Sequence, residues 1–399
     1  MTATATLPSW LADWAESVGL PIAADARHRA ELWKYVDFAP LDRAFDTRTS
    51  EATAQNAYEK DETFRVIGHW HNGTWEATPA LGVQANVVDA RKLPSAVALG
   101  SKGNLFSEVA DRASDTALVV TVAPGLQVDT PLAIGFLATG LKNTAAAQRV
   151  HVHVGQGASV RMLVEHQTAQ SDRVLFNRMT TIHLEPDSQL EWVVIPDTSG
   201  ILRAEATCLF LEAHSRLKFF SVHTQTPFEF HDTQVYFRGE NAHAQLNGLG
   251  LLADQDKLYQ HVEVHHDVPN TQSFQLYKSI LAGHSTSEYT GLVKVAPHAQ
   301  KTLSGQLNRN LMLSGTPQAH SRPQLQIHAD DVKCNHGATV GQLDPQELFY
   351  MVSRGLSSEA ATGLLTQGFA DEVAALISDV PVRDTVRRYA DAYLRACRV

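Results

Sequence analysis

The sequence predicts a mainly β protein, built as a solenoid of stacked coils with α-helical regions at both ends. Short strand patterns follow one another from about Leu118, and turn residues separate them without a convincing long helix. A weak repeat places aliphatic residues at positions 160, 190, 217 and 246, each after a similar turn. A near-regular spacing in the twenties to thirties of residues is typical of stacked coils. An immunoglobulin-like sandwich also has many short strands, but the repeat favours a solenoid.

Residues 1–115 form a predicted N-terminal helical and mixed region. The apolar residues Trp10, Leu11, Trp14 and Val18 recur near helical spacing. A second helical segment from about Ala24 carries the run ELWKYVD. For residues 46–115 the sequence indicates no function.

The predicted solenoid spans residues 116–342, and a helical domain fills residues 343–399. Asp344 is a predicted N-cap, because Pro345 suits the first helical position and Glu347 completes a capping box. Gly355 is well placed to end this helix. An amphipathic stripe predicts the last helix; it consists of Val386, Tyr389, Ala390, Tyr393, Leu394 and Cys397.

Composition excludes several classes of function. The 399 residues carry a formal net charge of −10, which gives no support for nucleic-acid binding. No apolar run reaches the ~20 residues that a membrane span needs. The first residues, MTATATLPSW, lack the pattern of a targeting signal, so we expect a cytoplasmic protein. The chain has no GxxxxGK[ST] motif and therefore cannot cradle ATP phosphates in that way.

The three cysteines are Cys208, Cys334 and Cys397. They are too few and too scattered for a disulfide framework, which indicates a reducing compartment. They also cannot complete a four-cysteine cluster site within one chain.

The stretch 323–355 concentrates the chemistry of the chain. Its central run reads DDVKCNH, so Cys334 and His336 lie two residues apart and share a face if they are on a strand. Thiolate and imidazole together suit iron–sulfur species or zinc. We expect Lys333 to favour the thiolate. Two ligands do not make a complete metal site, so the other ligands must come from another chain or a bound intermediate. The alternative interpretation is structural: Cys334 is a small buried hydrophobic residue and His336 is a hydrogen-bonded turn residue.

A second candidate group lies on another strand pattern. His261, Glu263 and His265 alternate and therefore project from one face. Such ligands can bind zinc or iron. The favoured interpretation is a polar outer face of the solenoid.

The run ADDVKCNHGATVGQLD, followed by LFY and SRG, resembles the C-terminal signature of the SufD family. SufD proteins are subunits of the SUF scaffold for iron–sulfur cluster assembly. The WKY element, PNTQS and NRNLMLS are similar to segments of the same family. The resemblance implies a right-handed parallel β-helix core and a non-catalytic role.

The resemblance also implies partners and site residues. His336 would take part in cluster assembly at the junction with a SufB-like paralogue, and Cys334 would lie at the same junction. Asp331 and Lys333 join them as candidates for the paralogue interface. A SufC-like ABC ATPase would dock on the C-terminal helices, for which the candidates are Phe349, Tyr350, Arg354 and Phe369. The cofactor would be a nascent cluster shared with the partner, and FAD is expected only at the level of the complex.

Two alternatives stay open. The chain could be a SufB-type or self-pairing cluster scaffold, although its few cysteines argue against that. It could also be a β-helix polysaccharide lyase or hydrolase, but no ladder of carboxylates and basic residues is evident.

Overall fold

A computed structural model describes residues 7–20, 33, 36–42, 45, 64–94, 104–139, 142–169, 172–195, 201–224 and 227–397. The predicted helix from about Ala24 lies outside these residues, as do Lys34 and Tyr35 of the WKY element.

The helices lie toward the two ends of the chain and the strands between them. The α-helices are α1 (Ser9–Ser17), α2 (Leu105–Ala113), α3 (Pro345–Ser353), α4 (Ser358–Ala374) and α5 (Val380–Ala396). The strands are β1 (Arg65–His71), β2 (Thr74–Ala77), β3 (Val83–Asp89), β4 (Thr116–Val122), β5 (Leu132–Thr139), β6 (Lys142–Val154), β7 (Ser159–Ala169), β8 (Asp172–Leu184), β9 (Gln189–Ile195), β10 (Leu202–Leu211), β11 (Arg216–Thr224), β12 (Phe228–Phe237), β13 (His243–Leu252), β14 (Lys257–His266), β15 (Gln272–Leu281), β16 (Thr286–Val295), β17 (Leu303–Met312), β18 (Gln318–Ile327) and β19 (Lys333–Gly341). None of the helices in the described part of the chain combines the length and the apolar character needed to cross a bilayer.

The strands form a parallel β-solenoid of about seven turns. From β4 onward, successive strands alternate between two sheets, and each strand pairs in parallel with the strand two places along the chain. The antiparallel pairs β1–β2 and β3–β4 cover the N-terminal end of the two sheets. This topology confirms the predicted mainly β solenoid and excludes the sandwich.

The coil repeat depends on one tight turn before each odd-numbered strand from β7 to β17. The residue two positions before each of these strands adopts a positive φ, and the residues in this position are Gly157, Asp187, His214, Asn241, Asn270 and Lys301. Glycine, asparagine and aspartate tolerate this conformation best. The next residue is small and fully buried in every case: Ala158, Ser188, Ser215, Ala242, Thr271 and Thr302.

One position of the predicted repeat is wrong by two residues. Val160, Leu190 and Leu217 do pair with one another across adjacent coils. Leu217 then pairs with Ala244, whereas Leu246 pairs with Phe219. A shift of two residues preserves the alternation between inward and outward side chains, so the hydrophobic pattern alone could not detect it.

Residues from the two ends of the chain pack on the outer faces of the two sheets. Trp33 contacts Phe230 of β12, with ring centroids 4.9 Å apart, on the sheet of even-numbered strands. The C-terminal helices cover the other sheet, where the Tyr393 hydroxyl donates a hydrogen bond to the Leu252 carbonyl at 2.9 Å. The core of the solenoid lies between the sheets and includes Phe219. The terminal coil of the solenoid consists of β18 and β19, and the C-terminal helices follow it in sequence.

The predicted helix ends are largely as found. The Asp344 carboxylate accepts a hydrogen bond from the Gln346 N–H at 2.8 Å, and Pro345 begins α3. Gly355 follows α3 with a φ of +98°. Four of the six predicted stripe residues of the last helix are buried, namely Val386, Ala390, Tyr393 and Leu394.

Candidate functional site

The terminal coil leaves one edge of each sheet open. β18 pairs with β16 and β19 pairs with β17, and within the described residues neither has a strand on its other side. Every residue of β10 in the middle of the solenoid is buried, whereas no residue of β19 is. Open edges present unpaired N–H and C=O groups, so this end of the solenoid can accept a strand from another chain.

Cys334 and His336 lie on β19 and share its inward face. Cys334 pairs with Ser304 and His336 pairs with Gln306 of the preceding coil. The Cys334 side chain is half-buried against the solenoid core, and His336 is exposed. The two side chains therefore lie on the interior face of the last strand, at the open end of the solenoid.

The expected activation of Cys334 by Lys333 is wrong. Adjacent strand residues point to opposite faces, so the Lys333 ammonium is directed away from the thiol. Burial raises the pKa of the Cys334 thiol above its ordinary value, and a backbone hydrogen bond with Ser304 offsets this only in part. The thiol is protonated at neutral pH in the chain alone.

Asp331 and Lys333 are both exposed at the same end of the solenoid. Asp331 lies in the turn before β19, where its N–H donates to Gln300 Oε1 at 2.9 Å. The four candidates for the paralogue interface therefore all lie at the open end of the solenoid, and Asp331, Lys333 and His336 are exposed there while Cys334 is half-buried.

Three of the four candidates for ATPase docking lie on α3 or at its end. No residue of α3 is buried, and the exposed fractions of Phe349 and Tyr350 are 74% and 59%. The Arg354 guanidinium lies over the Tyr350 ring, 5.2 Å from its centroid. Phe369 is elsewhere, on α4, and the buried Lys278 ammonium lies 3.6 Å from its ring centroid. Phe369 therefore holds α4 against the solenoid.

Comparison with known proteins decides the family. Residues 136–369, more than half of the chain, match the family described as SUF system FeS cluster assembly, SufBD core domain. The chain belongs to the SufBD family. The matched segment begins in β5 and ends in α4, so it includes the terminal coil and α3.

Two of three similar curated relatives carry SufD or SufBD names. The iron–sulfur cluster assembly protein SufD of Escherichia coli is 26% identical over 380 residues, covering 89% of this chain and 86% of the relative. A SufBD family protein of Synechocystis is 30% identical over 288 residues, 69% of this chain and 64% of the relative. The chloroplastic protein ABCI7 of Arabidopsis thaliana is 27% identical over 302 residues, 73% of this chain and 63% of the relative.

In this SufBD chain, the predicted group of His261, Glu263 and His265 does not form one site. Glu263 and His265 interact through Oε1 and Nε2 at 2.9 Å, and Lys294 joins the same carboxylate oxygen. His261 is buried instead and contacts the Phe230 ring at 4.8 Å between centroids. The outer face is therefore covered at His261, where a solvent-exposed polar face was expected.

A cluster of ionisable side chains inside the solenoid was not predicted from the sequence. Its members are fully or almost fully buried: His166, Arg178, Arg203, Glu205, His223, Glu229 and His231. Arg178 donates to Glu205 Oε2 and Arg203 donates to Glu229 Oε2, each at 2.6 Å. These arginines and the neighbouring histidines outweigh the effect of burial, so the pKa of Glu229 is lowered to about 2. The alternations Arg-x-Glu in β10 and Glu-x-His in β12 were the available signal.

Proposed function

We propose that this chain is a SufD-type, non-catalytic scaffold subunit that assembles iron–sulfur clusters with a SufB-like paralogue. The observation that carries the proposal is the open terminal coil, where Cys334 and His336 share the inward face of an edge strand. A thiolate and an imidazole suit iron–sulfur species but do not complete a cluster site. Strand pairing at the open edge would bring the missing ligands from the paralogue.

A second surface supports a partner for the C-terminal helices. Phe349 and Tyr350 expose large apolar rings on a helix that has no buried residue, and such surfaces mark interaction sites. We assign this surface to a SufC-like ABC ATPase. β19 ends at Gly341 and α3 begins at Pro345, so a pull on α3 by the ATPase would reach the terminal coil directly.

The name of the Escherichia coli relative favours a SufD-type over a SufB-type subunit. FAD, if the complex holds it, would be bound by the assembled subunits together. A cytoplasmic location stays a prediction, since one relative is named chloroplastic.

The test is anaerobic co-expression with a SufB-like protein and a SufC-like ATPase, with purification through a tag on this chain. The wild-type complex should carry iron and sulfide and show iron–sulfur absorbance. His336→Ala should reduce the cluster content at least several-fold, because it removes a ligand at the junction. His328→Ala is the matched control, since His328 is also exposed at the terminal coil but lies after the other edge strand.

Two results would contradict this proposal. A hetero-complex whose cluster content is the same in His336→Ala and in wild type would remove His336 from the site. A chain that purifies alone, without either partner, would remove the role as a subunit of a hetero-complex.

A self-pairing scaffold is the second candidate, because both edges of the terminal coil are open and could pair with a second copy. The mass of the chain purified alone distinguishes the two. A stable homodimer that assembles clusters would favour self-pairing. Family membership favours either scaffold over a polysaccharide lyase or hydrolase.

A further inference from the structure

Two histidines and a glutamate converge inside the solenoid, far along the chain from the terminal coil. His223 projects from β11 in one sheet, and Glu229 and His231 project from β12 in the other. Glu229 Oε1 lies 2.8 Å from His223 Nδ1 and 3.7 Å from His231 Nε2. Among the described residues, these three are the one group of three or more His, Cys, Asp or Glu side chains arranged closely enough to hold a metal ion.

The contact between His223 and Glu229 joins an imidazole nitrogen to a carboxylate oxygen at 2.8 Å. Both residues are fully buried, and Nδ1 and Oε1 have no other hydrogen-bond partner among the described residues. Without a metal, the two atoms share a proton. A divalent cation can take the place of that proton, because metal binding requires the imidazole nitrogen to be deprotonated.

The surroundings of these atoms hold them as metal ligands are usually held. The amide of Gln260 contacts His223 Nε2 at 3.2 Å, and Gln260 Oε1 has no hydrogen-bond partner among the described residues. Since amide oxygen and nitrogen are interchangeable by rotation, Gln260 Oε1 can accept the Nε2–H and leave the Nδ1 lone pair toward Glu229. Metal-binding histidines commonly donate their other N–H in this way.

We propose that His223, Glu229 and His231 bind one divalent transition-metal ion inside the solenoid. Two imidazoles and a carboxylate are the donors that Fe²⁺ and Zn²⁺ accept. Arg203 and Arg178 already neutralise Glu229 and Glu205, so the site offers little net negative charge to Mg²⁺ or Ca²⁺. The proposal goes beyond the scaffold role, because it requires no partner and no cluster.

Polar side chains line one sheet of the interior between this site and the open end. The inward side chains of β15 and β17 are polar and buried: Ser273, Gln275, Tyr277, Ser279, Ser304, Gln306, Asn308 and Asn310. Within the described part of the chain, the Tyr277 hydroxyl and the Gln306 amide make no hydrogen bond. These groups can solvate an ion that enters between the two sheets at the terminal coil.

The test uses the full-length chain alone, freed of metal with a chelator and titrated with Co²⁺, Zn²⁺ and Mg²⁺. Calorimetry should give one equivalent of Zn²⁺ and no comparable binding of Mg²⁺, and Co²⁺ should produce visible absorption bands. X-ray absorption of the zinc-loaded chain should show nitrogen and oxygen neighbours at about 2.0–2.2 Å and no sulfur. A sulfur neighbour would place the metal at a cysteine such as Cys334 and overturn the proposal.

Variants test the individual ligands. Glu229→Gln and His231→Gln should abolish the stoichiometric binding, and Gln260→Leu should weaken it about 10- to 100-fold. His153→Gln with His183→Gln is the control, because these partly exposed histidines pair with each other on β6 and β8, on the outer face of the sheet of even-numbered strands. Loss of binding in this control, or unchanged binding in Glu229→Gln, would overturn the proposal. If the ligand variants fail to fold, the metal stoichiometry and the X-ray absorption of the wild-type chain still decide it.

Discussion

The chemical state of Cys334 is set by the coil on which it packs. The thiol is half-buried above Ser304, and burial raises its pKa, so the thiolate forms only when a metal or a partner displaces the proton. A half-buried, protonated thiol is protected against alkylation and oxidation before assembly begins. Under the proposed function, the same residue would become a ligand once the partner supplies iron.

This state predicts slow alkylation of Cys334 in the isolated chain. Iodoacetamide should modify Cys334 more slowly at pH 8 than it modifies the same cysteine in the urea-unfolded chain, and the midpoint of the rate against pH should be higher in the folded chain. Peptide mass spectrometry separates Cys334 from Cys208 and Cys397. Equal midpoints in the folded and unfolded chains would contradict the raised pKa.

Asp256 gives a second prediction at the residue scale. It accepts a hydrogen bond from the Ala253 N–H at 3.0 Å, and burial raises its pKa from 3.8 to about 7. Because the folded-state pKa is the higher one, the wild-type chain loses stability as the pH rises from about 4 to about 7. Asp256→Asn keeps an acceptor without the charge. Its melting temperature should match that of wild type near pH 4 and exceed it at pH 8; an equal difference at both pH values would contradict this.

At the scale of elements, α3 is a helix that has no buried residue. Its apolar residues Phe349, Tyr350 and Val352 are exposed, while α4 and α5 bury theirs against the solenoid. A short helix is marginal in water unless its apolar face is covered. We therefore expect the ATPase to complete the packing of α3.

Truncation of these rings measures the docking directly. Phe349→Ala with Tyr350→Ala should weaken ATPase binding about tenfold or more, as expected when two aromatic anchors are lost. The thermal stability of the chain should change little, because neither ring is buried in it. Leu81→Ala is the control, since Leu81 is 93% exposed in the turn between β2 and β3. Unchanged affinity in the double variant would remove α3 from the docking site.

Local patterns were sufficient to predict some elements and insufficient for others. The N-cap at Asp344 and the buried stripe on α5 depend on neighbours within one helix, and both were predictable. The partner of Leu217 was not, because a shift of two residues leaves the strand alternation intact. The burial of His261 was not predictable either, since it depends on packing against Phe230 and the segments that cover this face.

At the scale of the whole molecule, the solenoid ends in two open strands. The β-solenoid core was predictable because its turn and small-residue repeat recurs before six successive odd-numbered strands. The interior cluster of His, Glu and Arg was not, because strand alternation shows which residues share a face but not which face is enclosed. Polar residues on one strand face usually indicate a solvent-exposed face, and this interpretation was wrong for His261.

The open end predicts how the subunit pairs. Val340 is 52% exposed on β19, so Val340→Glu should leave the melting temperature of the chain nearly unchanged. The same charge should prevent pairing with a paralogue, because it would be buried between two edge strands. Leu81→Glu is the matched control and should pair normally. Size-exclusion chromatography with light scattering measures the pairing of both variants. Normal pairing of Val340→Glu would place the interface elsewhere.

The central claim is that a histidine of this chain ligates the cluster at a junction with a second subunit. The most direct measurement is pulsed electron paramagnetic resonance of the reduced cluster in the hetero-complex, with ¹⁵N-histidine in this subunit alone. The account predicts a ¹⁵N hyperfine coupling that is present in wild type and in His328→Ala and absent in His336→Ala. A cluster that shows no ¹⁵N coupling in the wild-type complex would contradict it.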